Sequence, residues 1–177
     1  MSYSSGHILL SSQREGQVSR FPAWVVIAVP LAAILFQVYI PLFFQFLGYL
    51  EMPLLVVVYF ALMRRNPVAG LLIGSAVGLV QDSLSKNPLG MFGIVKTLVG
   101  YFASSIGVRL DVDNVVMRLL LAYFFFVFHQ FFYWVLARAL LRQQLAFEVE
   151  RTLVVGLLNA LVGIALYHFL DKLRESS

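Results

Sequence analysis

The chain has 177 residues, 60% hydrophobic and 12% charged, with a formal charge of +4 and no cysteine. A soluble domain carries about 25% charged residues, so too few are present to cover a water-exposed surface, and the mean hydropathy of +0.86 points to lipid as solvent for much of the molecule. Disulfides, thiolate metal sites and a cysteine nucleophile are excluded, and the scattered Lys and Arg form no basic stripe of the kind that reads nucleic acid.

Residues 1–20 are polar and rich in Ser, Gly and Gln, with Arg14 and Arg20 near the end. They read as a cytoplasmic tail ahead of one transmembrane helical domain over 21–171, with a second short tail over 172–177. A cleavable signal peptide is not expected, since the first apolar run begins only at Phe21 and no small-residue cleavage pattern follows it. That run predicts a first span from Phe21 to Ile40. Trp24 and Tyr39 sit near its two ends, where amphipathic rings favour the headgroup zone, and Pro30 at its middle is expected to kink it. The stretch from Pro41 to Pro53 mixes Phe43, Phe44 and Phe46 with Gln45, Gly48 and Glu51. The apolar run from Met52 to Met63 is short for a crossing that needs roughly 20 residues. It spans by extending backwards, or its entry is re-entrant or interfacial.

Two starts follow in which Asn precedes Pro, Asn66-Pro67 and Asn87-Pro88. Asn accepts the orphan N–H groups of a first turn, and proline lacks the donor that goes unused there. They predict a third span from Pro67 to Leu84 and a fourth from Pro88 to Val108. Asp113-Asn114 caps a fifth from Val115 to Ala139, and a sixth covers Thr152 to Leu170. About six crossings leave no room for a separate catalytic domain. The basic residues favour both termini inside, with Arg64, Arg65, Arg109 and Arg118 among the cytoplasmic positions.

Gly70, Gly74, Gly78 and Asp82 recur every four residues, which places them on one helical face. Small residues at this spacing permit close backbone approach in lipid. The groove either packs against a helix of the same chain or receives another protein's helix. The fourth span repeats the pattern with Gly90, Gly93, Thr97, Gly100 and Ser104. Lys96 lies within it, and an intramembrane charge normally finds a partner. Asp82 is the expected one, with snorkelling of Lys96 outward as the alternative. No zinc, nucleophile-elbow or phosphate-loop motif is present, and His7, His129 and His168 are too dispersed to form a metal set. Neither a catalytic residue nor a cofactor is expected. His129 reads as a hydrogen-bonded packing residue. Asn159, between Gly156 and Gly163, suits a side-chain hydrogen bond between helices. The aromatic run Tyr123 to Phe126, continued by Phe128, Phe131, Phe132, Tyr133 and Trp134, reads as a lipid-facing surface that is also large enough to take a partner helix.

The block from Met52 to Tyr101 carries these elements in order: the apolar run from Met52, Arg64-Arg65-Asn66-Pro67, the glycine stripe ending at Asp82, Pro88-Leu89-Gly90 and Gly100-Tyr101. In this it resembles the MreD family of bacterial rod shape-determining membrane proteins, and the rest of the chain matches in hydropathy. Positions that fit the family's pattern are Gly70, Gly74, Gly78, Asp82, Pro88, Gly90, Gly100 and Tyr101. The polar head departs from it. The resemblance implies an all-α integral membrane fold similar to the substrate-binding subunits of energy-coupling-factor transporters. It also implies a non-enzymatic scaffold in the cytoplasmic membrane, part of the elongasome that inserts peptidoglycan along the side wall. The implied partners are the single-pass protein MreC, a RodA-type glycan polymerase and its transpeptidase, with a homo-oligomer as a further possibility. The fold similarity supplies the alternative, a vitamin-binding transporter subunit.

Overall fold

The computed structural model describes residues 21–85, 88–144 and 146–174. The polar head, Lys86 and the Asn87 cap lie outside these. Among the described residues there are six α-helices and no strand: α1 Ala23–Tyr39, α2 Met52–Arg64, α3 Pro67–Leu84, α4 Met91–Gly107, α5 Val115–Leu141 and α6 Val149–Asp171. Five apolar stretches are long enough to cross a membrane, and α4, at 17 residues, is shorter. The chain is a multi-pass membrane protein.

The helix α1 runs unbroken through Pro30. Two 3-10 turns, Ile40–Leu42 and Gln45–Tyr49, then carry the chain to α2. With the second turn included, the stretch Gln45–Arg64 reaches the length of a crossing, with Leu50 and Glu51 between the turn and the helix. Leu42, Phe43, Phe44 and Phe46 point away from the protein.

Every residue from Pro53 to Met63 in α2 is buried. This helix contacts all five others, so it has no outer face. That explains why its sequence is apolar all round, where a surface helix would show an apolar stripe. Arg65, in the left-handed region at φ 51°, ends α2. Asn66 then caps α3 by accepting the N–H groups of Val68 and Ala69 at 3.0 and 3.2 Å, and Asn114 caps α5 through the Val116 N–H at 2.9 Å. Both caps are where local sequence puts them. Helix α5 runs two residues past its expected end, to Leu141, and α6 begins at Val149 ahead of the expected Thr152.

The closest pairing in the molecule is α3 with α4. The pair is antiparallel: Gly70 lies against Gly100, and Gly78 lies against Phe92 and Gly93. The long helices α5 and α6 pair with each other, with Gly156 against the rings of Tyr123 and Phe126 and Gly163 against Leu55 and Ala122. The aromatic run of α5 is therefore only partly a lipid surface. Phe125 and Phe126 are buried, while Phe124 and Phe131 face outward, because residues one apart on a helix point in different directions.

Candidate functional site

The glycine stripe of α3 is filled by α4. A Cβ built on Gly70 would collide with the carbonyl of Gly100 and the side chain of Ser104, one on Gly74 with the carbonyl of Lys96, and one on Gly78 with the backbone of Phe92 and Gly93. Gly100 is equally confined by the backbone of Gly70, and Gly93 faces the side chain of Leu79. The groove is thus closed by this chain's own neighbouring helix and is not open to another protein. Gly90 has a different task. A Cβ there would touch nothing, but its φ of +97° is one that only glycine adopts without strain.

That turn explains two departures from the expected site. The helix α4 starts at Met91, with Gly90 as its N-cap, because the orphan donors of its first turn are satisfied from outside. Asp82, on the last turn of α3, accepts the N–H groups of Gly90 at 2.9 Å, Phe92 at 3.1 Å and Gly93 at 2.9 Å. A carboxylate at a helix N-terminus meets both the unpaired donors and the positive end of the dipole. With its oxygens turned onto backbone, Asp82 is not the direct partner of Lys96.

Lys96 is fully buried and does not snorkel. Its Nζ lies 3.8 Å from Glu51 Oε2, 3.3 Å from His129 Nε2 and 4.2 Å from the centroid of the Phe92 ring. His129 is stacked on Phe92, and Phe92 on Tyr133. The expected packing histidine is therefore also a contact of the buried ammonium. Glu51 was legible in sequence only as an interruption of an apolar run. The available signal was its position: a carboxylate directly before Met52-Pro53 is costly near a membrane interior and needs a partner.

Four hydrogen bonds fix the backbone around Glu51. Its N–H donates to Asn159 Oδ1 at 2.8 Å, and Asn159 Nδ2 donates to the carbonyl of Tyr49 at 2.8 Å and that of Val155 at 3.0 Å. The N–H of Met52 donates to Gln37 Oε1 at 3.2 Å. Asn159 thus ties α6 to the start of α2, as expected of a polar residue between two glycines. Beside Glu51 opens a cavity of about 280 Å³ lined by Tyr49, Glu51, Gln130, Tyr133, Trp134 and Thr152 among others. At its rim Arg151 pairs with Glu148 at 3.0 Å and lies over the Tyr49 ring, 5.2 Å from its centroid.

A second charged cluster occupies the opposite end of the bundle. Arg118, placed above at the cytoplasmic end of the fifth span, lies inside α5 and is buried. Its Nε donates to the carbonyl of Val112, one terminal nitrogen donates to Asp171, and the other reaches Asp113 at 3.5 Å and Asp171 at 3.4 Å. The Tyr59 hydroxyl donates to Asp171 at 2.8 Å, and Arg174 reaches Asp113 at 3.6 Å. All three guanidinium nitrogens are used. Among the described residues no group of three His, Asp or Glu side chains stands close enough to hold a metal ion.

A family model described as rod shape-determining protein MreD matches residues 19–176 of the chain. No curated protein and no solved structure matches it significantly. The match speaks for a cell-shape-determining structural membrane protein, and it gives no support to the vitamin-transporter alternative.

Proposed function

The chain belongs to the MreD family of rod shape-determining proteins, and from that premise we propose that it is a non-enzymatic scaffold of the elongasome. It sits in the bacterial cytoplasmic membrane with both termini inside and supports side-wall peptidoglycan synthesis by docking other membrane proteins. MreC is the first of these, and a RodA-type polymerase with its transpeptidase follows. In this orientation the Glu51 end of the bundle faces outward and the Arg118 end faces the cytoplasm.

The observation that supports this reading is what remains open after the six helices have packed. The glycine stripe is spent on α3 and α4, so a partner meets other surfaces. One is the cavity beside Glu51, whose aromatic walls and few polar groups are the composition of a recognition pocket. It suits a segment of a single-pass partner lying just outside the membrane. Another is a groove of about 350 Å³ between α1 and α3, lined only by apolar side chains including Ile27, Leu31, Leu72 and Val80. That groove suits a partner's membrane helix, held by packing alone.

The test is affinity purification of the tagged chain in mild detergent, with mass spectrometry of what stays bound. Recovery of MreC with the polymerase machinery is expected. Recovery of neither, from cells in which both are abundant and the tagged chain still maintains rod shape, would overturn the reading.

A further inference from the structure

Glu51, which lines the aromatic-walled cavity, is paired with Lys96 only through a long contact. Glu51 is only 13% exposed, and its Oε2 lies 3.8 Å from Lys96, beyond hydrogen-bond reach. No other donor reaches that oxygen among the described residues, and it is itself buried, so Glu51 meets the cavity with the remaining, partly exposed part of its side chain. A buried acceptor without a donor is costly. The two cations nearby are engaged by other groups. Lys96 contacts His129 Nε2 at 3.3 Å and the Phe92 ring, and Arg151 is held by Glu148 and the Tyr49 ring.

Resting on the docking reading above, we propose that this cavity recognises a cationic side chain, lysine or arginine, on the docked segment of the partner, and that Glu51 receives it. The walls agree with the charge, because Tyr49, Tyr133 and Trp134 line the cavity and aromatic faces attract cations. A charge-assisted bond to a carboxylate is stronger than one from a neutral donor, and an incoming acidic side chain would be repelled. The charge of Lys96 behind Glu51 does not forbid a second cation. At the other end of this molecule one carboxylate, Asp113, already serves Arg118 and Arg174 at 3.5 and 3.6 Å.

The experiment uses the full chain in lipid nanodiscs and full-length MreC as the probe. Affinity is measured for Glu51→Gln, for Thr152→Trp, which fills the cavity, and for MreC variants in which each lysine and arginine beside its membrane helix is changed singly to glutamine. Glu51→Gln is expected to weaken binding about tenfold, a loss of about 1.4 kcal/mol. One MreC variant is expected to lose as much, and combining it with Glu51→Gln adds little, as for two halves of one contact. The MreC series leaves this chain untouched, so it reads the contact even if Glu51→Gln folds poorly. Unchanged binding by Thr152→Trp would remove the docking reading at this cavity. Loss with Thr152→Trp alone, while no MreC variant is weakened, would keep the docking and overturn the cation.

Discussion

The two ends of the bundle use the same kinds of residue to opposite effect. At the Arg118 end a guanidinium, two carboxylates and a tyrosine hydroxyl satisfy one another, and α2, α5 and α6 are clasped together. At the Glu51 end a carboxylate, an ammonium and an imidazole are just as deeply placed but loosely matched. Among the described residues Glu51 Oε2 and His129 Nδ1 have no hydrogen-bond partner, and near the Arg118 end the buried Tyr167 hydroxyl has none either. A buried polar group that is fully bonded stiffens a core, and one with spare capacity is costly until something else bonds it. The comparison contrasts a cluster whose charges are matched by short bonds with one whose central ion pair is long.

Breaking the clasp is expected to have the largest effect. Arg118→Ala leaves Asp171 without its main partner and should lower unfolding stability by about 3 kcal/mol, measured by denaturant titration in detergent. An effect under about 1 kcal/mol, the size expected of a surface pair, would dissolve the contrast between the ends. Asp82→Asn comes next. It weakens three charge-assisted bonds to the start of α4, at a cost of about 2 kcal/mol, and faster amide exchange at Gly90, Phe92 and Gly93 is the specific readout. The smallest expected effect is that of Glu51→Gln on stability, about 1–2 kcal/mol, because the fully buried Lys96 loses its carboxylate but that pair is long at 3.8 Å. A loss as large as that of Arg118→Ala would make the Glu51 cluster a second clasp and remove its claim to recognition.

What sequence conveys here is local. Asn66 and Asn114 are readable as caps because a cap and its donors lie within three residues, and the six helices are readable because apolar length is a property of a window. The glycine stripe is readable as a close-packing face, but its occupant is not, since the spacing of Gly70, Gly74 and Gly78 is the same for an internal and an external helix. Proximity in the chain misleads at Lys96. Asp82 is the nearer carboxylate in the chain, yet its oxygens are drawn to backbone donors freed by the Gly90 turn, and the ammonium meets Glu51, the residue just before α2. Arg118 shows the same limit. Counted among the cytoplasmic charges that set orientation, it is instead buried in α5, where its partner Asp171 comes from the far end of the chain.

The enclosure of α2 also constrains how the protein is made. During synthesis this segment leaves the ribosome early, before α3 to α6 exist to surround it. The acceptor for the Glu51 N–H, Asn159, follows 108 residues later. Until then the backbone at the entry to α2 lacks that bond. A chain truncated before α4 also lacks Lys96, the cation facing the Glu51 carboxylate, so the start of α2 is completed only by helices made later.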